Sequence, residues 1–450
     1  MFGHKLQRKE SPMAIIPQRQ LFSWKEIENL ADLERFSLLL KHLPDEQLMQ
    51  SLESHRSKGR DDYPIRAMWN SILAGIVYQH TSIESLRREL MRNAQLRQLC
   101  GFDLLKGIDA VPSSNAYTNF LKRLIAHMDM IDSVFFELVD RLSELLEGFG
   151  QALAIDSKAI NSRARRVSRS GRIDLRGELD ADKGFKTYRG TRSDGSTWET
   201  VKSWFGFKLH LIVDAEYELP IAYSVTKASA SDLTVGKEMI EDLALERPSV
   251  LENAQLFLGD KAYDDTDLIT KLWDKHNIKP VIDIRDLWKI DGARRVHGQT
   301  NVSHDYKGTV YCHCPVQWVK RPMAFGGFEK DRGTLKYRCA ARHYGLECAG
   351  RQLCHISDNI RIDIESNRRI FTPLARSSYK WKTMYKKRSA VERVNSRMDE
   401  SFGFEKHFIR GSKKMKVRCG LALIVMLGMA YGRVRQKQYE RMRSLVTSVA

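Results

Sequence analysis

Residues 151–156 read QALAID, and this stretch begins a series of five short apolar runs. The other four are WFGFKLHLIVDA (204–215), LPIAYSVTKA (219–228), AQLFLGDKAY (254–263) and IKPVIDI (278–284). Runs of this length and composition predict β-strands, and helical patterns follow the third and fourth runs. Three strands followed by alternating helices and strands favour a mixed α/β sheet.

The residues before this series are predicted to be helical. Between about residue 24 and residue 149, apolar residues recur at spacings of three and four, as in DLERFSLLLKHL and DSVFFELVDRLSELL. Thr81 and Glu84 are spaced as a capping box, and Pro112-Ser113-Ser114 is predicted to start another helix. We therefore expect an all-α domain over residues 1–148 that binds DNA. A helix-turn-helix and a plain helical bundle are both open interpretations.

A cysteine-rich region follows the predicted sheet. Residues 285–372 contain five of the seven cysteines, together with glycines and aromatic residues, and this composition predicts a β-leaning insertion. Helical patterns return at about residues 378–399 and 413–434. The predicted segments are a helical domain (1–148), the first part of the sheet core (149–284), the insertion (285–372) and C-terminal helices that complete the core (373–450).

The charge balance indicates a polyanionic partner. The 450 residues favour two or three domains, and their formal net charge is +18. Nineteen Lys and Arg but five Asp and Glu lie from residue 376 to the end. Nucleic acid is the commonest partner of such a basic surface. A second basic run, residues 158–172, includes Arg165 and Arg166, and it is interpreted either as a solvated loop or as a DNA contact.

Membrane insertion and secretion are not predicted. The first residues, MFGHKLQRKE, are polar and basic, unlike a signal peptide. The longest apolar run, residues 419–431, is too short to span a bilayer and predicts a buried core helix. The sequence therefore predicts a cytosolic protein.

Two acidic residues end predicted strands. Asp156 follows QALAI, and Asp260 follows QLFLG. A single Asp at such a place is often a helix cap, but two in one sheet favour a shared site. Carboxylates bind hard divalent cations, and two Mg²⁺ ions can activate water and stabilise a leaving oxygen when a phosphodiester is cut.

A third acid, Glu392, lies in YKKRSAVERVNSR. Tyr385, Arg388 and Glu392 stand at i, i+3 and i+7, so a helix brings them to one face. The alternative interpretation of this spacing is an ordinary exposed Arg/Glu face.

These stretches together resemble a known family. LAIDSKAI (153–160), FGFKLHLIVD (205–214), LFLGDKAYDD (256–265) and Tyr385-x2-Arg388-x3-Glu392 are similar to motifs of the DDE transposases of bacterial insertion sequences, in the group with the Tyr-Arg-Glu-Lys signature. Residues 59–102 resemble the helical domain that precedes the core in many of these enzymes. The resemblance covers about residues 57–435.

The resemblance implies an RNase H-like catalytic core with an insertion between the second Asp and the Glu. It also implies that Asp156, Asp260 and Glu392 are catalytic and hold two divalent ions, Mg²⁺ or Mn²⁺. The expected reaction has two steps, in which water cuts the element's end and the freed 3′-hydroxyl then attacks target DNA.

The resemblance further implies that Tyr385 and Arg388 bind the phosphates beside the cleaved bond. Asp399 stands where the signature has its Lys, so this chain departs from the family there. Either Arg397 or Lys406 supplies the missing phosphate contact or the register of the signature differs here, and both interpretations are open.

The expected partners are the terminal inverted repeats and target DNA, both double-stranded, bound by a homodimer that pairs two ends. The expected location is the bacterial cytoplasm, at the nucleoid. Two alternatives remain at this point: a DNA-binding protein descended from such an enzyme that no longer cuts, and an RNase H-like nuclease without strand transfer.

The cysteines of the insertion offer a second metal site. The candidate ligands for one tetrahedral Zn²⁺ are Cys312, Cys314, Cys339, Cys348 and Cys354. Their gaps are irregular, unlike tight paired knuckles, so free thiols in a small β-rich region are the alternative interpretation.

Aromatic residues near the predicted core also have two interpretations. His210, in the run FGFKLHLIV, is interpreted as a core histidine in preference to an active-site group. A tryptophan could stack on a flipped base at the cleavage junction, but packing is the interpretation favoured for most of them. The tryptophans that flank the core and the insertion are Trp198, Trp204, Trp288, Trp318 and Trp381.

Overall fold

The computed structural model describes residues 32–55, 63–166, 177–288, 292–296, 298–356 and 359–445. Helices come first along the described chain, as predicted. They are α1 Leu33–His42, α2 Glu46–Ser54, α3 Ile65–Val77, α4 Ile83–Arg92, α5 Ala94–Cys100, α6 Ser114–Ala126 and α7 Met128–Leu145.

Side-chain caps fix two of these helix starts. Ser113 accepts a hydrogen bond from the N–H of Ala116 at the start of α6, which confirms the predicted start. At α4 the cap is Ser82, which accepts from the N–H of Ser85. The predicted capping box of Thr81 and Glu84 is therefore wrong by one residue.

A mixed sheet follows the helices, and this confirms the predicted α/β class. Its strands are β1 Ala152–Asn161, β2 Asp182–Thr191, β3 Thr197–Asp214, β4 Leu219–Lys227, β5 Leu256–Gly259 and β6 Lys279–Ile282. β1, β5 and β6 are parallel neighbours, and β3 is antiparallel to both β1 and β4. The helices α8 Asp232–Glu246, α9 Pro248–Asn253 and α10 Thr266–Thr270 connect the later strands.

One part of the sheet was missed by the sequence patterns. β2 and the first half of β3, residues 197–203, pair only with each other beyond the point where β1 and β4 end. Residues 197–203 are exposed, so this segment has no alternating buried face from which a strand could be predicted.

The region between β6 and the C-terminal helices forms two small antiparallel sheets. The first contains β7 Arg294–Arg295, β8 Val302–His304, β9 Val310–His313 and β10 Lys320–Pro322; the second contains β11 Ala324–Glu329, β12 Thr334–Arg338 and β13 Asn359–Asp363, with helix α11 Ala340–Tyr344 beside it. Buried residues such as Leu335, Tyr337 and Ile362 give the region an apolar core of its own.

Arginines at the two ends of this region, where the chain leaves the main sheet and where it returns, bind one buried carboxylate. Asp264 accepts a 2.7 Å hydrogen bond from the N–H of Arg285 on the way out. On the way back, Arg369 donates to the same carboxylate at 2.6 Å. Arg376 donates to the carbonyl of Ile282, the last residue of β6, at 2.9 Å. The two crossings therefore lie side by side at the end of the main sheet.

Three helices complete the described chain: α12 Tyr379–Lys386, α13 Ser389–Phe402 and α14 Ser412–Arg435. α14 packs against α1, α7 and β4, so one apolar core runs from the N-terminal helices into the sheet. By length and composition α14 could cross a membrane, but 83% of its most apolar window is buried within the protein. The predicted core helix is confirmed, and the domain boundaries stay a prediction.

Candidate active site

The ends of two parallel strands place two carboxylates side by side. The last paired residues of β1 and β5 are Ala154 and Leu258. Asp156 and Asp260 each lie two residues beyond that pair, so the sheet carries both to the same edge. Burial and the negative charge of Asp260 raise the pKa of Asp156 to about 6, as expected for two close carboxylates.

Local backbone contacts orient both side chains. The Oδ1 atom of Asp156 accepts from the N–H of Ser157 at 2.7 Å. The Oδ1 atom of Asp260 accepts from the N–H of Ala262 at 2.8 Å and caps the short 3₁₀ turn Lys261–Tyr263. The capping role considered from the sequence is therefore present at Asp260. It is compatible with ligand binding, because a carboxylate has further acceptor positions.

The third acid comes from α13, which packs against β1. Arg388, at the start of that helix, donates from Nη2 to Oε1 of Glu392 at 2.7 Å, and its Nη1 lies 3.5 Å from Oδ2 of Asp156. Burial works to lower the pKa of Arg388, but the two carboxylates outweigh burial and raise it. One guanidinium thus joins the strand carboxylate to the helix carboxylate.

The ring of Tyr385 lies beside this guanidinium. It stacks on Trp381 with ring centroids 4.7 Å apart and an interplanar angle of 11°. The central carbon of the Arg388 guanidinium is 5.9 Å from the Tyr385 ring centroid. Burial, followed by the charge of Asp283, raises the pKa of the Tyr385 hydroxyl, which therefore stays protonated.

A fourth carboxylate at this edge was missed by sequence reasoning. β5 and β6 pair in parallel up to Gly259 and Ile282, so Asp283 follows β6 as Asp260 follows β5. Oδ2 of Asp283 lies 3.6 Å from Nζ of Lys261. The signal was available, because IKPVI is followed by Asp just as QALAI is.

Asp399, which stands where the family signature has a lysine, forms an ion pair in the structure. Lys158, two residues after Asp156 on the same face of β1, donates to Oδ2 of Asp399 at 2.5 Å and lies 3.5 Å from Oε1 of Glu405. The Lys158 side chain is only 11% exposed. The helix carries an acid where the family has a lysine, and the neighbouring strand carries the lysine instead.

Arg397 lies against Glu218. Its guanidinium contacts the backbone carbonyl and the carboxylate of Glu218, and burial lowers its pKa to about 10. In this structure Glu218 thus occupies the guanidinium, and the phosphate contact of Arg397 stays a prediction. Arg165, Arg166 and Lys406 are exposed. The rest of the second basic run, residues 167–172, lies outside the described residues.

His210 is a core residue, as interpreted from the sequence. It is buried in β3, and its Nε2 lies 2.9 Å from the hydroxyl of Thr226. Burial lowers the pKa of His210 to about 4, so the ring is neutral.

The cysteines of the insertion do not gather at one point. Cys314 and Cys348 share a hydrogen bond, whereas Cys312 lies near Cys339 and Cys354. All five are free thiols. Among the described residues, no three Cys, His, Asp or Glu side chains lie close enough together to form a ready metal site. The zinc site therefore stays a prediction.

The acids at the sheet edge suit a divalent cation in chemistry. Their oxygens are the ligands that hard ions prefer, and a cation would relieve the repulsion that raises the pKa of Asp156. Arg388 supplies the positive charge between Asp156 and Glu392 in this structure. Among the described residues the three acids do not form a ready metal site, and Arg388 lies between two of them.

Acids at neighbouring strand ends, a third acid on a helix and an Arg–Tyr pair beside them define an enzyme of the DDE class. Residues 147–427 match the family described as transposase DDE domain, and residues 16–123 match one described as transposase domain (DUF772). The first match covers more than half of the chain, so the chain belongs to the transposase DDE domain family. It is thus a transposase, an enzyme that cleaves DNA and transfers strands.

Comparison with solved structures gives a weaker likeness. The chain is similar to a piggyBac transposase solved by cryo-EM as a synaptic complex with hairpin DNA, at 11% identity and a TM-score of 0.30. The match covers 95% of this chain and 88% of that one. No curated protein matches the sequence.

Proposed function

We propose that Asp156, Asp260 and Glu392 are the catalytic carboxylates of this transposase and hold two divalent ions, Mg²⁺ or Mn²⁺. The observation that carries the proposal is the largely buried Asp156, whose pKa is raised beside Asp260 and whose charge is shared with Glu392 through one guanidinium. When bound, such ions supply an activated water and a stabilised leaving oxygen.

Arg388 and Tyr385 have the chemistry to hold the phosphate next to the cleaved bond. The planar fork of Arg388 can exchange its two carboxylate partners for two phosphate oxygens. Tyr385, protonated and supported by the stacked ring of Trp381, can donate one further hydrogen bond. These contacts would fix the scissile phosphate above the acids for in-line attack.

The sheet order supports an RNase H-like core. The order is β4-β3-β1-β5-β6 with only β3 antiparallel to its neighbours, and the first two acids lie on the adjacent strands β1 and β5. Residues 1–148 would then be a DNA-binding domain and residues 285–372 an insertion. The separate apolar core of residues 284–375 supports the second assignment.

The DNA substrates on this proposal are the terminal inverted repeats and the target duplex. The basic C-terminal region and the exposed Arg165 and Arg166 provide positive charge for them. A homodimer would pair two element ends before strand transfer. Water cuts first, and the freed 3′-hydroxyl then attacks the target.

Cleavage of duplexes that carry the inverted repeats flanking the gene tests the proposal. Asp156→Asn, Asp260→Asn and Glu392→Gln should each abolish Mg²⁺-dependent nicking while the exposed Asp242→Asn control stays active. Full nicking by any of the three variants would refute the assignment. Joining of the 3′ end to a second duplex separates a transposase from a nuclease, and binding without nicking by the unchanged protein would indicate an inactive descendant.

A further inference from the structure

A two-stranded arm extends from the active-site sheet. We call residues 182–204, which contain β2, a turn and the first half of β3, the β2–β3 arm. Its strands pair from Asp182 with Gly206 to Thr191 with Thr197. Isolated two-stranded ribbons are marginally stable in water, and this arm exposes residues 197–203. The side chains on its two faces are therefore of interest.

One face of the arm combines flat aromatic rings with lysines. The side chains of this face alternate along both strands, and we call them the arm face: Gly184, Lys186, Gly190, Trp198, Lys202 and Trp204. The indole of Trp204 lies across Gly184, and that of Trp198 lies across Gly190. A β-carbon at either glycine would come within 2.6 Å of the indole, so both rings lie flat on the ribbon.

The lysines lie directly opposite one another between the two rings. Lys186 pairs with Lys202 across the strands, and both are exposed. At the tip, Trp198 is 38% exposed although it is a large aromatic residue. Two lysines and a partly exposed indole on one face have the chemistry to bind a chain of phosphates with attached bases.

The arm is continuous with β3, which pairs with the strand that carries Asp156. Lys186 is close enough to Asp156 for its charge to act on the pKa of that carboxylate. Gly190, under the ring of Trp198, is four residues further along β2, or about 13 Å at the usual rise of a strand. That length corresponds to about four steps of duplex DNA. The spacing between Lys186 and the ring of Trp198 is therefore on the scale of one DNA contact.

We propose that the arm face binds the DNA that leads away from the cleaved bond. Lys186 and Lys202 neutralise its phosphates, and Trp198 stacks on a base about four nucleotides from the phosphate that Lys186 contacts. The inference rests on the proposed function, because it assumes that Asp156 marks the place where DNA is cut.

The opposite face of the same arm provides the matched control. Lys183 lies there, with its Nζ 5.0 Å from the ring centroid of Phe185, and Glu199 shares that face. Lys183→Ala removes one positive charge from the same ribbon, half of what the double lysine variant removes, without changing the arm face. If electrostatic attraction to the arm were unspecific, this variant would behave like the arm-face variants.

The test measures binding of a fluorescent 30-base-pair duplex of mixed sequence, with and without a short unpaired 3′ tail, at several salt concentrations. Lys186→Ala/Lys202→Ala should reduce the slope of log affinity against log salt by about 2. Trp198→Ala should weaken binding to the tailed duplex about tenfold with the salt slope unchanged. Trp198→Phe, which keeps an aromatic ring, should recover most of that loss, and Lys183→Ala should change affinity less than twofold.

Other results would overturn the inference. Equal losses for Lys183→Ala and for the double lysine variant would mean that the face is not special. A change in sedimentation of the DNA-free protein, with binding curves unaltered, would assign the face to contacts between two copies of the chain. Failure of the unchanged protein to bind any duplex would remove the proposed function as well. Thermal melting of each variant identifies a loss that arises from unfolding.

Discussion

Arg388 places a positive charge between two carboxylates that would otherwise repel each other. It lies 3.5 Å from Asp156 and 2.7 Å from Glu392, on a helix that packs against the strand. The same guanidinium suits a phosphate, so the arginine can leave the acids when DNA arrives. The acids are then free for metal, and the phosphate is held where it is needed.

Arg388→Gln separates these two roles. Without DNA, the variant should bind Mn²⁺ several-fold more tightly than the unchanged protein, because no resident cation competes for Asp156 and Glu392. Its cleavage activity should fall by about a hundredfold or more, since the phosphate loses a positioned donor. Titration calorimetry with Mn²⁺ and a nicking assay give the two values. Weaker Mn²⁺ binding by the variant would contradict the competition.

Asp399, which stands where the family signature has a lysine, forms an ion pair with Lys158. Asp399→Lys restores the signature on the helix but sets two lysines against each other, so nicking and melting temperature should both fall. Adding Lys158→Asp restores an opposite-charge pair with the sites reversed and should recover stability by roughly 1–3 kcal/mol relative to additivity. A thermodynamic cycle from urea unfolding measures this coupling, and an additive cycle would show that the pair is unimportant.

At the scale of an element, β3 serves two purposes along one strand. Its second half is buried between β1 and β4 and holds His210, whereas its first half forms the exposed arm. The change of environment occurs at Gly206, where a β-carbon would come within 2.0 Å of the carbonyl oxygen of Ile160.

Gly206→Ala should therefore lower the free energy of unfolding by about 1–3 kcal/mol, because backbone, not a flexible side chain, fills the space. Gly75→Ala in α3 is the control, since a β-carbon there meets the Leu86 side chain at an ordinary 3.4 Å. Urea unfolding followed by circular dichroism compares them. Equal stability of the two variants would mean that the strands can separate at Gly206 without cost.

His210 makes the stability of the sheet depend on pH. Burial lowers its pKa from 6.5 to about 4, so the folded protein resists protonation that the unfolded chain accepts. The associated stability is fully present above pH 6.5 and is lost as the pH falls from 6.5 towards 4, by about 2–3 kcal/mol.

His210→Gln should be less stable at pH 7, because the contact with Thr226 changes, but its stability should fall less between pH 6.5 and 4.5. The exposed His343→Gln is the control and should keep the parental pH dependence. Unfolding midpoints at a series of pH values decide this. Parallel curves for the two variants would contradict a role for His210.

At the scale of the whole molecule, two apolar cores divide the described chain. One joins the N-terminal helices, the sheet and α14, and the other belongs to residues 284–375. Contacts inside each core form together, so each is expected to open as its own cooperative unit.

Hydrogen exchange in increasing urea should therefore give two midpoints. Amides of β12 and β13 should lose protection together, at a urea concentration different from that for β1 and β3. Mass spectrometry of peptides from both regions measures this directly, and α1 and α14 should follow β1. A single midpoint for all of these peptides would show that the two cores are one unit.

Patterns within a few residues were enough to predict the sheet, the helices and the strand-end acids Asp156 and Asp260. Contacts between distant residues were not predictable in this way. Lys158 and Asp399 are 241 positions apart, and the sequence around either residue does not predict its contact with the other. The contact of Arg397 with Glu218 was not predicted either, because the position of Arg397 on its helix gives no information about a residue on the β3–β4 turn. The arm was missed because both of its faces are exposed, which leaves no alternation to detect.

The two arginine contacts to Asp264 bear on how proteins of this family can diversify. Arg285 and Arg369 both bind the carboxylate of Asp264. The segment between these two arginines is therefore attached to the main sheet at one place. An insertion attached in this way can be lengthened, shortened or replaced in evolution without a change in the active-site sheet. A foreign domain could likewise be inserted between Arg285 and Arg369.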